Sequence, residues 1–191
     1  MLTFITGPVR SGKSSLAQRI AARSGRPVIF CATAAIDADD EEWSARIARH
    51  RAERPAVWTT IETAVPQSTG LLAVLRSAAS SEIVIVDSLG TWLADLMGRH
   101  ALGTSVVEWH DEIDAYASQL VDAVEGCAAN LVVISEEVGW GVVPVHVSGR
   151  VFRDVIGRTN RRLCALAEQA YLVVSGVALD LKKGMPIESI G

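Results

Sequence analysis

The stretch GPVRSGKSS, residues 7–15, constrains this chain more than any other. It follows the apolar run LTFIT (2–6) and opens a helical pattern from about Lys13 to Arg23. Gly7, Gly12, Lys13 and Ser14 fit the spacing G-x-x-x-x-G-K-[ST]. The glycines let the chain turn so that backbone N–H groups point inward at phosphate oxygens, over the positive end of the following helix. Lys13 is spaced to reach the β- and γ-phosphates, and Ser14 to ligate Mg²⁺. Pro8 lacks an N–H and donates nothing there, while Val9, Arg10 and Ser11 complete the loop. A plain glycine turn leaves the Lys-Ser pair unexplained.

The rest of the chain alternates short apolar runs with helical patterns. VIFCAT (28–33), VWTTIE (57–62), EIVIVD (82–87), NLVVISEE (130–137) and AYLVVS (170–175) read as strands, with a short edge piece near 178–181. Helices are expected after the acidic stretch DADDEE (37–42) through Arg54, then over about 67–79, 89–98, 106–126 and 147–169. Near-continuous apolar strands alternating with helices predict an α/β fold with a mostly parallel sheet covered on both faces. No internal repeat or linker divides the chain, so residues 1–191 are expected to form one nucleotide-binding domain.

A net charge of −4 and a pI near 5.6 argue against general nucleic-acid binding. No apolar run approaches the ~20 residues of a membrane span. The N-terminus MLTFITG has no basic residue ahead of its apolar segment, which argues against a signal peptide. Cys31, Cys127 and Cys164 are scattered without metal spacing and read as buried thiols of a cytoplasmic protein.

In parallel sheets ligands gather beyond the carboxyl ends of the strands. That rule selects the residues just after 6, 33, 62, 87 and 136. Asp87 closes EIVIVD, where a carboxylate can hold Mg²⁺, or serve as a turn or helix-capping residue. Glu62 closes its strand in the same way. Thr33 is placed to touch a base or ribose, or to bond its own turn. One more segment carries chemistry: in RIARHRAERP (46–55), His50 sits among four arginines. Trp43, Ile47 and His50 share one helical face, so His50 either flanks the core or faces a ligand. Positive neighbours lower an imidazole pKa, and a neutral ring can attack phosphorus while arginines neutralise its oxygens.

TGPVRSGKSS, RIARHRAERPAVWTTIE, the Asp87 strand, EVGWGVVP (137–144) and GRVFRDVIGRTNRRLCALAEQAYLVVSGVAL (149–179) run in order along nearly the whole chain. Together they resemble the bifunctional adenosylcobinamide kinase / adenosylcobinamide-phosphate guanylyltransferase family of cobalamin synthesis. The resemblance implies a RecA-like P-loop domain that assembles into a homo-oligomer. It implies that a nucleoside triphosphate, ATP or GTP, phosphorylates adenosylcobinamide. GMP then passes from GTP through a histidine, here His50, to the phosphorylated corrinoid. The family's nucleotide contacts match Gly7 to Ser14, Ala32 to Ala34, Arg51, Ala52, Glu53, Arg54, Glu62 and Asp87. Two departures stand out: Ser135-Glu136-Glu137 replaces Thr-Asn-Glu, and Asn160-Arg161 replaces Asn-Gln. Arg153, Arg158, Arg161 and Arg162 are open to solvent, a subunit neighbour or a substrate phosphate. Trp140, beside two glycines in a loop expected to be mobile, is the tryptophan first suspected of touching the corrin ring. Two rivals remain: a simple P-loop kinase without covalent chemistry, and a nucleotide-switched interaction module.

Overall fold

The computed structural model describes residues 1–34, 40–52, 54–64, 70–99 and 105–184, with the Arg46 side chain outside that set. Its strands are β1 (Leu2–Thr6), β2 (Val28–Ala32), β3 (Thr59–Glu62), β4 (Ile83–Asp87), β5 (Asn130–Ile134), β6 (Gln169–Val174) and β7 (Val177–Asp180). Its helices are α1 (Lys13–Arg23), α2 (Glu41–Ala52), α3 (Leu71–Ser77), α4 (Leu89–Arg99), α5 (Val106–Glu125) and α6 (Val147–Leu166). The strands form one sheet in the order β3-β2-β4-β5-β1-β6-β7. Every pair is parallel except β6 with β7, joined by the tight turn at Ser175 and Gly176. The expected α/β architecture is therefore present.

Strand alternation divides the core in two. Leu2, Phe4, Val84, Val86, Leu131 and Val133 face a layer built from α3, α4, α5 and α6. Ile5, Phe30, Ile83, Ile85, Val132 and Ile134 face α1 through Ala17 and Ala21. Small residues on α1 let that helix lie close to the sheet, which brings its N-terminus to the end of β1. No described side chain of α2 is buried, so this helix belongs to neither layer. It starts where Asp40 accepts the Trp43 N–H at 2.8 Å, as an N-cap does.

Element ends depart from the expected bounds for local reasons. Trp58 N–H donates to Pro55 C=O, so a turn occupies the start of the third run and β3 begins at Thr59. The sixth helix stops at Leu166 because Glu168 N–H already donates to Leu2 C=O, beginning the β1–β6 pairing. β5 ends at Ile134, yet Ser135 N–H donates to Ile5 C=O and Glu137 N–H to Gly7 C=O. The acidic start of DADDEE, Glu53 and the first part of the 67–79 helix lie outside the described residues. Cys31 is buried, and burial pushes its thiol pKa up to about 12. Cys127 and Cys164 are only half-buried, which corrects the expectation of three buried thiols. Among the described residues no helix is long and apolar enough to cross a membrane.

The exit of β5 is braced from α6. Asn160 is buried; its Oδ1 accepts the Ser135 hydroxyl at 2.5 Å and its Nδ2 donates to Glu136 C=O at 3.0 Å. Replacing Asn160 by Ala strips both partners from groups shielded from water, so Asn160→Ala is expected to lower stability by about 1–3 kcal/mol, read from urea unfolding midpoints.

Candidate functional site

The backbone of the phosphate loop is set by close contact, not by sequence alone. Gly7 has φ +152°, and a Cβ placed there would lie 2.2 Å from the Val173 carbonyl oxygen on β6. Gly12, at φ +103°, occupies the N-cap of α1. Arg10 also takes a positive φ, 56°, at the exposed tip. Lys13 is 7% exposed and folds back on its own loop, donating to Gly7 C=O at 2.9 Å and Pro8 C=O at 2.8 Å. The ammonium thus waits at the mouth of the loop on two carbonyls that a phosphate can replace.

A cleft of about 460 Å³ opens over this loop. Val9 to Ser14 form one side. Register fixes another side: Glu62 pairs with Ala32, and Ala32 pairs with Asp87. The three residues therefore sit level across β3, β2 and β4, with both carboxylates on the face that α1 covers. Ala32, Ala34, Glu62 and Asp87 all line the cleft. So do Arg49, His50 and Arg54, together with Trp43 and Ile47 on the same face of α2. This decides the first ambiguity of the sequence: the Trp43–Ile47–His50 face meets the cleft rather than the core.

The arginines divide their roles. Arg54 lies 3.9 Å over the Phe30 ring, and its Nε and Nη1 are shielded from water without a hydrogen-bond partner among the described residues. Desolvation lowers its pKa below the ordinary guanidinium range, opposed by the carboxylates of Glu62 and Asp87. Arg51 is exposed and stands 3.8 Å from Glu62. The cleft is therefore not a purely cationic ring around the histidine, since the carboxylates of Glu62, Asp87 and Glu136 share it. Ala52 is exposed on the far turn, and Gly7, Pro8, Thr33 and Arg51 do not line the cleft. Thr33 is buried, and its hydroxyl is spent on the backbone of Ser88, accepting from the N–H at 2.7 Å and donating to C=O at 2.6 Å. It locks the end of β2 to the end of β4, a bond to a neighbouring strand's exit rather than to its own turn.

Asp87 is pushed above its ordinary carboxyl pKa by desolvation, partly offset by a hydrogen bond from Ser14 and by the charges of His50, Arg54 and Lys13. A serine hydroxyl and a carboxylate in contact beside a phosphate loop are hard oxygen donors. They suit Mg²⁺, which favours one or two carboxylates plus phosphate and water over an all-protein cage. Among the described residues there is no cluster of three or more His, Cys, Asp or Glu side chains that could cage a metal, in keeping with that choice.

Ser88, Thr91 and Glu136 also line the cleft; the sequence marked Glu136 only as a departure from the family pattern and gave Ser88 and Thr91 no ligand role. Glu136 follows β5, which the sheet order places between the phosphate loop and Asp87. Its Oε2 accepts the Gly90 N–H at 2.8 Å, and a Cβ on Gly90 would meet that oxygen at 2.2 Å. Burial raises the Glu136 pKa, moderated by Ser88 and Lys13. The strand-end rule pointed to this position, but only the strand order shows what lies beside it. Three of the four α6 arginines are engaged elsewhere: Arg158 pairs with Asp114 at 3.0 Å, Arg162 donates to the Ser118 hydroxyl at 2.8 Å, and Arg153 binds the 139–142 backbone, while Arg161 is exposed. The three staple α6 to α5 and to a loop, not to the cleft.

Comparison with known proteins bears on this geometry. Residues 3–181 match the family model described as cobinamide kinase / cobinamide phosphate guanyltransferase. The chain is 33% identical over 187 residues to the bifunctional adenosylcobalamin biosynthesis protein CobU of Escherichia coli (strain K12), covering 95% of this chain and all of that one. It is 35% identical over 188 residues to the bifunctional adenosylcobalamin biosynthesis protein CobP of Pseudomonas aeruginosa, covering 98% of this chain and all of the relative. Among solved structures, a prototypical ATPase from the type III secretion system of pathogenic bacteria superposes with a TM-score of 0.55 at 9% identity, over 99% of this chain and 60% of that one. The ATP synthase subunit NeqB from Nanoarcheaum equitans gives 0.52 at 14% identity, over 98% and 53%. These likenesses place the fold among P-loop NTPases.

The Asp87 charge carries a testable sign. A carboxyl whose folded pKa lies above its ordinary 3.8 destabilises the fold once it ionises. Asp87→Asn is expected to raise the melting temperature of the nucleotide-free protein at pH 7. The gain should shrink as pH falls through the raised folded pKa and vanish below the ordinary value. A lower melting temperature for the variant at pH 7 would contradict the assigned desolvation.

Proposed function

Because the chain belongs to the cobinamide kinase / cobinamide phosphate guanyltransferase family, we propose that the cleft over the phosphate loop serves both half-reactions and that His50 carries the nucleotidyl group between them. The protein is a bifunctional enzyme of cobalamin biosynthesis, acting as kinase and guanylyltransferase. The observation that carries the covalent reading is that His50, on a helix with no described side chain in the core, lines the same cleft as the phosphate loop.

In the kinase half-reaction the cobinamide hydroxyl oxygen attacks the γ-phosphorus. The bond from that phosphorus to the bridging oxygen breaks, and a nucleoside diphosphate leaves. In-line displacement of this kind needs positioning and charge neutralisation above all. Lys13 exchanges the Gly7 and Pro8 carbonyls for phosphate oxygens. Ser14 and Asp87 are the side chains that would hold Mg²⁺, whose charge neutralises phosphate oxygens when it is bound.

In the guanylyl half-reaction the lone pair of a neutral His50 ring attacks the α-phosphorus of GTP. A P–N bond forms, the α–β bridging P–O bond breaks, and pyrophosphate leaves with the electron pair. A phosphate oxygen of the phosphorylated corrinoid then displaces the ring nitrogen, forming the diphosphate linkage and restoring the free imidazole. Arg54, with unpartnered nitrogens held by Phe30, and Arg49 are placed to pair with phosphate oxygens. Glu62 and Arg51 form a pair at the edge, where a nucleoside sugar or base would sit. The two phosphorus centres lie apart along one triphosphate, so α2 or the nucleotide must shift between steps. The homo-oligomer and cytoplasmic setting implied by the family belong to the same proposal.

Incubation with α-labelled GTP checks the histidine. Acid-labile, base-stable label is expected on the wild-type protein and none on His50→Ala. Lys13→Ala is expected to weaken both half-reactions by about a hundredfold or more, as loss of a charge-stabilising contact does. Label that persists on His50→Ala would overturn the covalent assignment and favour a simple kinase.

A further inference from the structure

The cleft leaves the acceptor without a seat. Its volume of about 460 Å³ suits a nucleoside triphosphate, and it is lined by the phosphate loop, the facing carboxylates and the His50 face of α2 with Arg54. A corrin is a broad, flat, largely apolar macrocycle. With nucleotide in place the macrocycle must lie outside, on a surface close enough for its side-arm hydroxyl to reach the phosphates.

One surface beside the loop has that character. The segment after β5 leaves directly from the phosphate loop, through the Glu137 N–H that donates to Gly7 C=O at 3.1 Å. From Val138 to Val145 it carries no charged residue. Trp140 is 66% exposed, Val142 93%, Val143 68% and Val145 88%. Scattered single apolar residues on a surface need no explanation, but four within six positions make a patch. Val9, on the phosphate loop itself, is 67% exposed and also lines the cleft, so an apolar residue stands at the cleft mouth too.

The patch is held in shape from behind. Arg153 donates to Gly139 C=O at 2.9 Å, Gly141 C=O at 3.1 Å and Val142 C=O at 3.2 Å. Arg150 donates to Pro144 C=O at 3.1 Å and Val145 C=O at 2.6 Å. Two planar guanidinium forks thus bind five carbonyls and pull the backbone toward α6, which the close approach of Gly149 to Pro144 allows. With the backbone anchored on one side, the side chains stay in water, and preorganisation of this kind lowers the cost of binding.

Resting on the bifunctional reading above, we propose that residues 139–145 form the docking surface for the corrin ring, with the Trp140 indole and the valines against a face of the macrocycle. The occupant is the acceptor rather than a second copy of the chain, because both half-reactions need the acceptor at the phosphate end and this patch starts there. Arg150 and Arg153 are positioning residues that hold the surface without touching the ring.

The test uses the full chain with cobinamide as probe, by equilibrium dialysis followed through corrin absorbance and by KM in the kinase assay. Trp140→Ala and the double variant Val142→Ser, Val143→Ser are each expected to weaken cobinamide binding and raise its KM by about tenfold or more. The saturating rate should change far less, and label from α-labelled GTP should still reach His50, a step that needs no acceptor. Arg153→Ala is expected to raise the cobinamide KM in the same direction without a new side chain entering the patch. Unchanged cobinamide binding in both patch variants overturns the assignment. So does a change in sedimentation coefficient without a change in KM, which would give the surface to a second copy. A wild-type protein that takes label from GTP yet ignores cobinamide would sink the bifunctional reading itself, a result distinct from failure of the patch alone.

Discussion

Gly7 has no room for a side chain, and the site follows from that. Its neighbour on one side is the Val173 carbonyl of β6, and on the other its own carbonyl receives the amide of Glu137 as the chain leaves β5. The first glycine of the phosphate loop is thus wedged between the exits of two flanking strands. That wedge aims the loop over the N-terminus of α1 and brings Lys13 back onto the Gly7 and Pro8 carbonyls. It also ties the loop to the apolar segment that starts four residues beyond β5. A parallel sheet makes this possible, because only parallel strands bring so many chain exits to one edge.

The charges in the cleft are arranged against the cost of removing them from water. Asp87 stands where ionisation is disfavoured by burial, and Ser14, His50, Arg54 and Lys13 reduce that penalty. Arg54 suffers the opposite desolvation and is countered by Glu62 and Asp87. Arg54 keeps two nitrogens without a hydrogen-bond partner among the described residues. A fully satisfied network would have no reason to accept a charged ligand, whereas this one gains from a triphosphate and a divalent cation.

Much of this was legible in the chain before any coordinates. The spacing of Gly7, Gly12, Lys13 and Ser14, and the position of Asp87 and Glu62 at strand ends, marked residues that do gather in one place. The His50 segment was legible as a helix face but not as to direction, since a Trp-Ile-His stripe fits a core as well as a cleft. Thr33 was read as a possible ligand contact and is a structural lock on Ser88. Glu136 was legible only as an extra carboxylate departing from the family pattern, because its place in the cleft depends on β5 lying between β1 and β4, two strands distant from it in sequence. The α6 arginines could not be assigned for a similar reason: their partners on α5 and in the 139–145 loop are set by helix packing.

The sequence by itself determined the local chemistry: a phosphate-binding turn between strand and helix, strands buried on both faces, and a histidine among arginines. These depend on spacing, on period and on the conformational freedom of glycine, all of which act over a few residues. Tertiary structure alone decided which of those groups meet. The order of the strands set Glu136 beside the phosphate loop, and register levelled Glu62 with Asp87 across Ala32. The absence of α2 from both core layers turned His50 toward the cleft. Contacts of that kind join residues far apart in the chain, and they are fixed by close packing and hydrogen bonding between elements, which no local pattern encodes.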